Sequence, residues 1–404
     1  MSIKFYNHDL TGEIKMKKTI LALFLIFLLV ACNGNVKTGD SNDPNPADKE
    51  SEVIKIGAIV SKTGKSDIYG DAVDKGIKLA VDEINENGGI DGKKIEYILE
   101  DDKSDPVEAV KAYDKLIEKN ADAIIGPISS ENAKAVANKS SQKKIAIISP
   151  TAGSEFITED SDNIFRTCFT NSVQGRVLAN FSIDSLQAKS AAILRNKSSD
   201  YSNEIADAFK DQFTQRGLKI LADEGYEEDD LDLKTQLENI KKENPDLILI
   251  PENSEKDFII AKEIREAQID AKIIGSDGWE GVLDLADKSS EKVLDSIYFA
   301  SHYASDDQSE TVKEFVYNYQ AKYKKVPSAF SALAYDSIYI LKDAFEKSNS
   351  TDSEKLIETI KNVEINGVTG NIRFDEKNNP YKSVVIIKIE NGKYNFDSLV
   401  SPEW

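Results

Sequence analysis

An α/β fold in two lobes, each built on a parallel sheet with helices on both faces, is predicted by three observations. Short apolar runs rich in Ile, Val and Ala recur from Val53 onward. Amphipathic stretches at helical spacing separate most of them, so the chain reads as repeated β-α units of about 25–40 residues. The chain has 404 residues, and so many units exceed what one core normally holds.

The elements follow in order. IKIGAIV (54–60) is an apolar run that ends in a loop. Ile77, Ala80, Val81 and Ile84 then recur at helical spacing, and Asn87-Gly88-Gly89 stops that helix. IEYILED (95–101) is the next strand, with a helix from Pro106. ADAIIG (121–126), IAIIS (145–149), AAILR (191–195), LILIP (247–251) and KIIGS (272–276) continue the pattern. SVVIIKIENGKYNF (383–396) reads as a hairpin turning at Asn391-Gly392. Cys168 falls in an expected strand as a small buried hydrophobe. There is no GxGxxG or Walker-type phosphate loop.

Before the repeats comes KKTILALFLIFLLVAC: Lys17-Lys18, an apolar run from Thr19 to Ala31, then Cys32. This is the layout of a secretory signal, too short for an ordinary membrane span. Leu29-Val30-Ala31-Cys32 resembles the lipobox of bacterial lipoproteins, which implies cleavage before Cys32, lipid on its sulfur and an extracytoplasmic, membrane-anchored protein. Met16 stands where such a signal should begin, so residues 1–15 are expected to be an upstream extension. Residues 32–52 are polar and contain Pro, Gly, Asn and Ser, the composition of a flexible tether.

Composition excludes several function classes. The formal net charge is −20, and becomes −22 once residues 1–31, with four lysines and two acidic residues, are removed. So acidic a chain repels nucleic acid and anionic headgroups. With Cys32 lipidated, Cys168 has no partner for a disulfide. Processing leaves His302 as the one histidine, which speaks against histidine-based triads and multi-histidine zinc sites. No cofactor or metal is expected. The acidic run Glu227 to Asp230 with Asp232 lacks EF-hand spacing and reads as a solvated loop. His302 reads as a structural hydrogen-bonding group.

In open α/β sheets ligands bind beyond the carboxyl ends of the strands, so the residues just after them are the candidates. Gly126-Pro127-Ile128-Ser129-Ser130 leads into a helix, whose free N–H groups and a serine hydroxyl can bind a carboxylate. The same serines can equally be helix caps. Pro150-Thr151-Ala152-Gly153-Ser154 is either a close-approach loop or a plain turn. Asp277-Gly278-Trp279 offers a carboxylate for an ammonium group, or else a cap or surface ion pair. Together these segments supply donors for an anion and an acceptor for a cation, the pattern an α-amino acid zwitterion requires.

GPISS, SPTAGSEFIT, NIFRTCFTNSVQG, GSDGW and PSAFSALAYDS occur in that order, with GGIDGKKIEYILEDDKSDP near the start. This set resembles the branched-chain amino-acid binding proteins of ABC importers, over nearly all of residues 53–396. The resemblance implies the type I periplasmic binding fold, with two Rossmann-like lobes joined by three chain crossings. Lobe 1 would comprise 53–171 plus 302–380, and lobe 2 172–301 plus 381–404. It further implies that Ser130 and the Gly153 N–H hold the ligand carboxylate, and that the Thr151 carbonyl and Asp277 hold its ammonium group. Tyr69, Tyr201 and Phe330 match pocket aromatics, and Trp279 either meets ligand or braces the wall. Three positions depart from the family. Gly153 replaces a hydroxyl residue, for which Ser154 could compensate; Asn171 replaces an Asp near the ammonium; Asn253 replaces a Tyr. These changes leave a more polar amino acid or an amide open beside the branched-chain ligands.

The expected function is capture of a small amino acid and its delivery to an importer permease, by a non-enzymatic, monomeric, lipid-anchored protein. A receptor that presents its loaded form to a signalling protein, and an enzyme on a similar frame with Asp277 as base, are the rival readings.

Overall fold

In a computed structural model, described here for residues 53–402 except 142, 160, 231 and 288–290, two sheets carry the fold. The signal segment, Cys32 and the tether lie outside the described residues. The first sheet contains β1 (Ile54–Val60), β2 (Ile95–Asp101), β3 (Ala123–Ile125), β4 (Ala146–Ser149) and β5 (Ile164–Arg166) in the order β2-β1-β3-β4-β5. All its pairings are parallel, with Ile56 beside both Tyr97 and Ala123. Central β1 is buried along nearly its whole length, as a strand covered on both faces must be.

Helices α1 (Asp67–Glu86), α2 (Pro106–Glu118), α3 (Ser130–Ser140) and the short α4 (Phe156–Glu159) connect these strands. The α2 start shows how locally specified the connections are. The Asp105 carboxylate accepts from the Val107 and Glu108 N–H groups, and Pro106 sits at the first helical position. One face of the sheet packs Ile56, Ala58 and Val60 against α1 and against α10 (Ala329–Ser348), and the other packs Ile59, Ile124 and Ile147 against α2 and α3.

The second sheet contains β6 (Ser190–Asn196), β7 (Lys219–Tyr226), β8 (Leu247–Ile250), β9 (Lys272–Gly275), β10 (Ile297–Ser301), β13 (Val384–Glu390) and β14 (Lys393–Val400). Its order is β14-β13-β10-β9-β8-β6-β7. Strands β6 to β10 run parallel, whereas β13 pairs antiparallel with β10 and with β14. The sheet is therefore mixed, because the terminal hairpin adds to its edge. Asn391 and Gly392 both have positive φ (54° and 67°), the backbone a tight hairpin turn needs. Helices α5 (Asn171–Asp184), α6 (Asp200–Gln215), α7 (Lys234–Glu243) and α8 (Ser254–Glu266) cover this sheet.

After β10 the chain returns to the first sheet with α9 (Glu310–Tyr323), α10, α11 (Ser353–Ile360) and the small β11–β12 hairpin (Glu364–Gly367, Gly370–Arg373). It then crosses back into β13. Cys168 packs in the core of the first sheet and Phe169 in that of the second. Cys168 itself lies two residues beyond β5 and not in a strand, because the chain bends there to leave the sheet. It is buried as expected, and burial pushes its thiol up to about 12. No helix among the described residues is long and apolar enough to cross a membrane.

Candidate functional site

The loops after β1, β3 and β4 meet those after β6, β7, β8 and β9 around a cavity of about 140 Å³ between the sheets. Tyr69, Ser130, Thr151, Tyr201, Asp277 and Phe330 all line it. The strand-end positions that looked ambiguous singly are thus gathered at one place.

On the first lobe, the two candidate serines divide the two roles. Ser129 caps α3, its Oγ accepting from the Asn132 N–H at 3.2 Å. Ser130, the first helical residue, turns its side chain to the cavity and accepts from the Ser154 N–H at 3.3 Å. Its hydroxyl stands at the positive end of α3, where an anion is favoured. Thr151 commits its own hydroxyl to the Ile128 carbonyl at 2.6 Å.

Gly153 and Asn171 stand behind this wall, outside the cavity lining. The Asn171 N–H donates to the Gly153 carbonyl at 2.8 Å. Across the cleft, Glu204 accepts from Ser154 Oγ at 2.7 Å and from Asn171 Nδ2 at 2.8 Å. The Ser154 hydroxyl is therefore engaged by Glu204. Burial raises the Glu204 carboxyl, and these two donors partly offset the shift.

On the second lobe, Asp277 is held by three side chains. Its Oδ1 accepts from Tyr201 OH at 2.5 Å and Gln174 Nε2 at 3.0 Å, and its Oδ2 faces His302 Nε2 at 3.0 Å. Gln174 also accepts from the Asp277 N–H at 2.7 Å. Burial, with the Asp277 charge beside it, pushes the Tyr201 phenol well above its usual value, so it remains a donor. Burial lowers His302 to about 4, so the ring is neutral and Nε2–H is the donor to Asp277. The ring also stacks on Phe169, centroids 3.9 Å apart. Trp279 braces the wall: it is fully buried, with its indole N–H on the Ile250 carbonyl at 3.0 Å.

The cleft is closed. Tyr69 OH donates to the Gly278 carbonyl at 2.7 Å, and the Ala329 N–H donates to the Glu280 carboxyl at 3.2 Å. Both join the first lobe to the second. Gly278 is required there, since a β-carbon on it would lie 2.0 Å from the Glu252 carbonyl oxygen. Tyr69 and Phe330 meet edge to face at 5.0 Å and form the apolar side.

The opposite end of the cavity holds Asn253, which the resemblance had singled out, and three residues that sequence reasoning missed, Asn196, Glu228 and Glu252. Asn196 ends β6, Glu228 follows β7, and Glu252 and Asn253 follow β8. Glu228 lies in the acidic run read as a solvated loop, yet it accepts from Asn196 Nδ2 at 2.6 Å inside the site. The strand-end rule would have found these three had it been applied to β6, β7 and β8 as it was to β3, β4 and β9. Among the described residues, no three His, Cys, Asp or Glu side chains gather as metal ligands. The geometry suits recognition of a small molecule with an anionic and a cationic end.

A periplasmic binding protein family profile matches residues 53–393. The Leu/Ile/Val-binding protein BraC3 of Rhizobium johnstonii is 28% identical over 345 residues, 84% of this chain and 92% of that protein. The leucine-, isoleucine-, valine-, threonine- and alanine-binding protein of Pseudomonas aeruginosa is 26% identical over 330 residues, covering 81% and 87%. Among solved structures, the branched-chain amino acid transporter substrate binding protein LivJ of Streptococcus pneumoniae, in complex with isoleucine, superposes with a TM-score of 0.82. It is 32% identical, over 87% of this chain and all of that one. The chain belongs to the periplasmic binding protein family.

Proposed function

We propose that this protein is the extracytoplasmic solute receptor of an ABC importer, and that it closes two lobes over one small α-amino acid. The observation that carries the reading is the placement of Ser130, at the amino end of α3, and Asp277 on the walls of one cavity. Ser130, with the N–H groups at the amino end of α3, would take the ligand carboxylate. Asp277, with the Thr151 carbonyl, would take the ammonium group. The isoleucine complex of the Streptococcus pneumoniae relative supports this, as do the names of the other two, which bind leucine, isoleucine and valine and in one case threonine and alanine as well.

In this reading the chain stretches near residues 171, 301 and 380 are the hinge between lobe 1 (53–171, 302–380) and lobe 2 (172–301, 381–404). Closure excludes water and strengthens each polar contact with the ligand. The closed, loaded form is then what the permease recognises. Lipid on Cys32 would tether the monomer to the membrane, with residues 33–52 as spacer. The protein acts by binding alone.

Calorimetric titration with the twenty amino acids, paired with small-angle scattering, tests the proposal. One or more amino acids should bind with a one-to-one stoichiometry and reduce the radius of gyration. Binding of none, or saturation without compaction, would refute it.

A further inference from the structure

The end of the cavity away from Ser130 is built for positive charge. Of the four acidic residues that line the whole cavity, Glu131, Glu228, Glu252 and Asp277, two stand at this end, Glu228 and Glu252, and the one lysine of the lining is Lys65. Glu252 is the telling one. It is only 4% exposed, and it accepts from Tyr226 OH at 2.6 Å and from the Asn253 backbone and side chain at 3.0 and 3.1 Å. No ion pair to it exists among the described residues: Lys65 reaches Glu228 at 3.4 Å, and Lys256 donates to the Asp230 carbonyl at 2.7 Å. A buried carboxyl in a ligand cavity without a cation is costly, unless the ligand brings one.

A second, independent feature lies behind it. Asp257 is fully buried, and neither of its carboxyl oxygens has a hydrogen-bond partner. It interacts electrostatically with Glu252, and burial together with that charge raises its carboxyl well above the usual range. Asp257 lies behind the cavity wall as an unpartnered acid beside Glu252, and supplies no cation to it. An adjoining pocket of about 420 Å³ shares Lys65, Asn196, Glu228, Glu252 and Asn253 with the cavity. A long side chain therefore has room beyond the zwitterion site. An aliphatic side chain placed here would strip water from Glu228 and Glu252 and replace none of its hydrogen bonds.

We propose that Glu252 and Glu228, with Asn196 and Asn253, form a subsite for a cationic side chain, so that the ligand is a basic α-amino acid bearing an ammonium or guanidinium group. The inference rests on the amino-acid reading above and narrows it. The α-amino and α-carboxyl groups occupy the Asp277 and Ser130 ends, and the side-chain cation reaches Glu252.

Calorimetry on the purified protein with arginine, lysine, ornithine, leucine, isoleucine, valine and glutamine tests it, with the Glu252→Gln variant alongside. At least one basic amino acid should bind roughly 100-fold tighter than leucine, the value of a desolvated charge-assisted contact. Glu252→Gln keeps an acceptor for Tyr226 and removes the charge. It should weaken the basic ligand by ~10–100-fold and change leucine binding by less than about 3-fold. Tighter binding of an aliphatic amino acid or glutamine than of every basic one overturns the subsite and leaves the amino-acid reading standing. Equal losses for basic and aliphatic ligands in the variant also overturn it. Binding of no amino acid removes both readings.

Discussion

The carboxamide of Asn171 fills the space that a side chain on Gly153 would need. A β-carbon built on Gly153 lies 2.1 Å from Asn171 Oδ1. Gly153 and Asn171 are therefore one packing unit, and Glu204 completes it by binding both Asn171 and Ser154.

Gly153→Ala is expected to destabilise the protein by about 1–3 kcal/mol through this overlap. Adding Asn171→Ala should recover part of that loss, giving a coupling of about 1 kcal/mol in a double-mutant cycle read by urea denaturation. Additive losses would mean that the two side-chain positions do not compete for space.

Tyr69→Phe removes the hydroxyl that spans the cleft to Gly278 and leaves the ring against Phe330. The bond forms between lobes, so its loss of about 1 kcal/mol should fall on the closed state. Ligand affinity should drop about 5-fold, mainly through a faster off-rate, with the ligand-free melting temperature unchanged. Stopped-flow fluorescence separates the rates. A slower on-rate with an unchanged off-rate would place Tyr69 in encounter and remove it from closure.

Much of this arrangement was legible in the chain. IKIGAIV and IEYILED are β1 and β2 residue for residue: β1 because a run buried on both faces leaves an uninterrupted apolar signature, and the half-buried edge strand β2 through its apolar centre, Tyr97-Ile98-Leu99. Asn391-Gly392 marked the terminal hairpin through its positive-φ requirement. Helix α1 was read only from Ile77, since its first turns at Asp67 to Asp71 are too polar to show the period. Strand β7 has a mostly half-buried pattern with Asp223 and Glu224 inside it, so it gave no apolar run at the sheet edge. The Asp277 half of the site was visible at a strand end. Its supports were not: Gln174 is 103 residues away in sequence, and only the fold brings it there.

Asp277→Asn tests that supporting network and the ammonium site together. Three donors converge on the carboxylate, and an amide nitrogen in place of one oxygen leaves at least one of them facing a donor. Affinity for the ligand should fall by ~10–100-fold, the worth of one charge-assisted hydrogen bond. Stability of the empty protein should fall as well, by about 1–3 kcal/mol. Unchanged affinity with lowered stability would make Asp277 a scaffold residue and move the ammonium site elsewhere in the cavity.

His302 gives the fold a specific response to acid. Burial holds its imidazole at about 4, below the ordinary 6.5, despite the hydrogen bond to Asp277 that favours the charged form; Lys382 nearby lowers it further. Between those two values the unfolded chain binds a proton that the native protein does not. Stability from the neutral ring is therefore complete above pH 6.5 and is lost as pH falls toward 4, by roughly 2 kcal/mol at pH 5. Carboxylates titrate in the same window, so the informative quantity is the stability difference between the native protein and His302→Gln. Glutamine retains an N–H for Asp277 Oδ2 and cannot titrate. Urea denaturation at pH 7 and pH 5 should show the native protein losing about 2 kcal/mol relative to the variant. A difference that stays constant over that range would mean the imidazole is as easily protonated in the folded protein as in water, and that burial at the crossing after β10 does not control it.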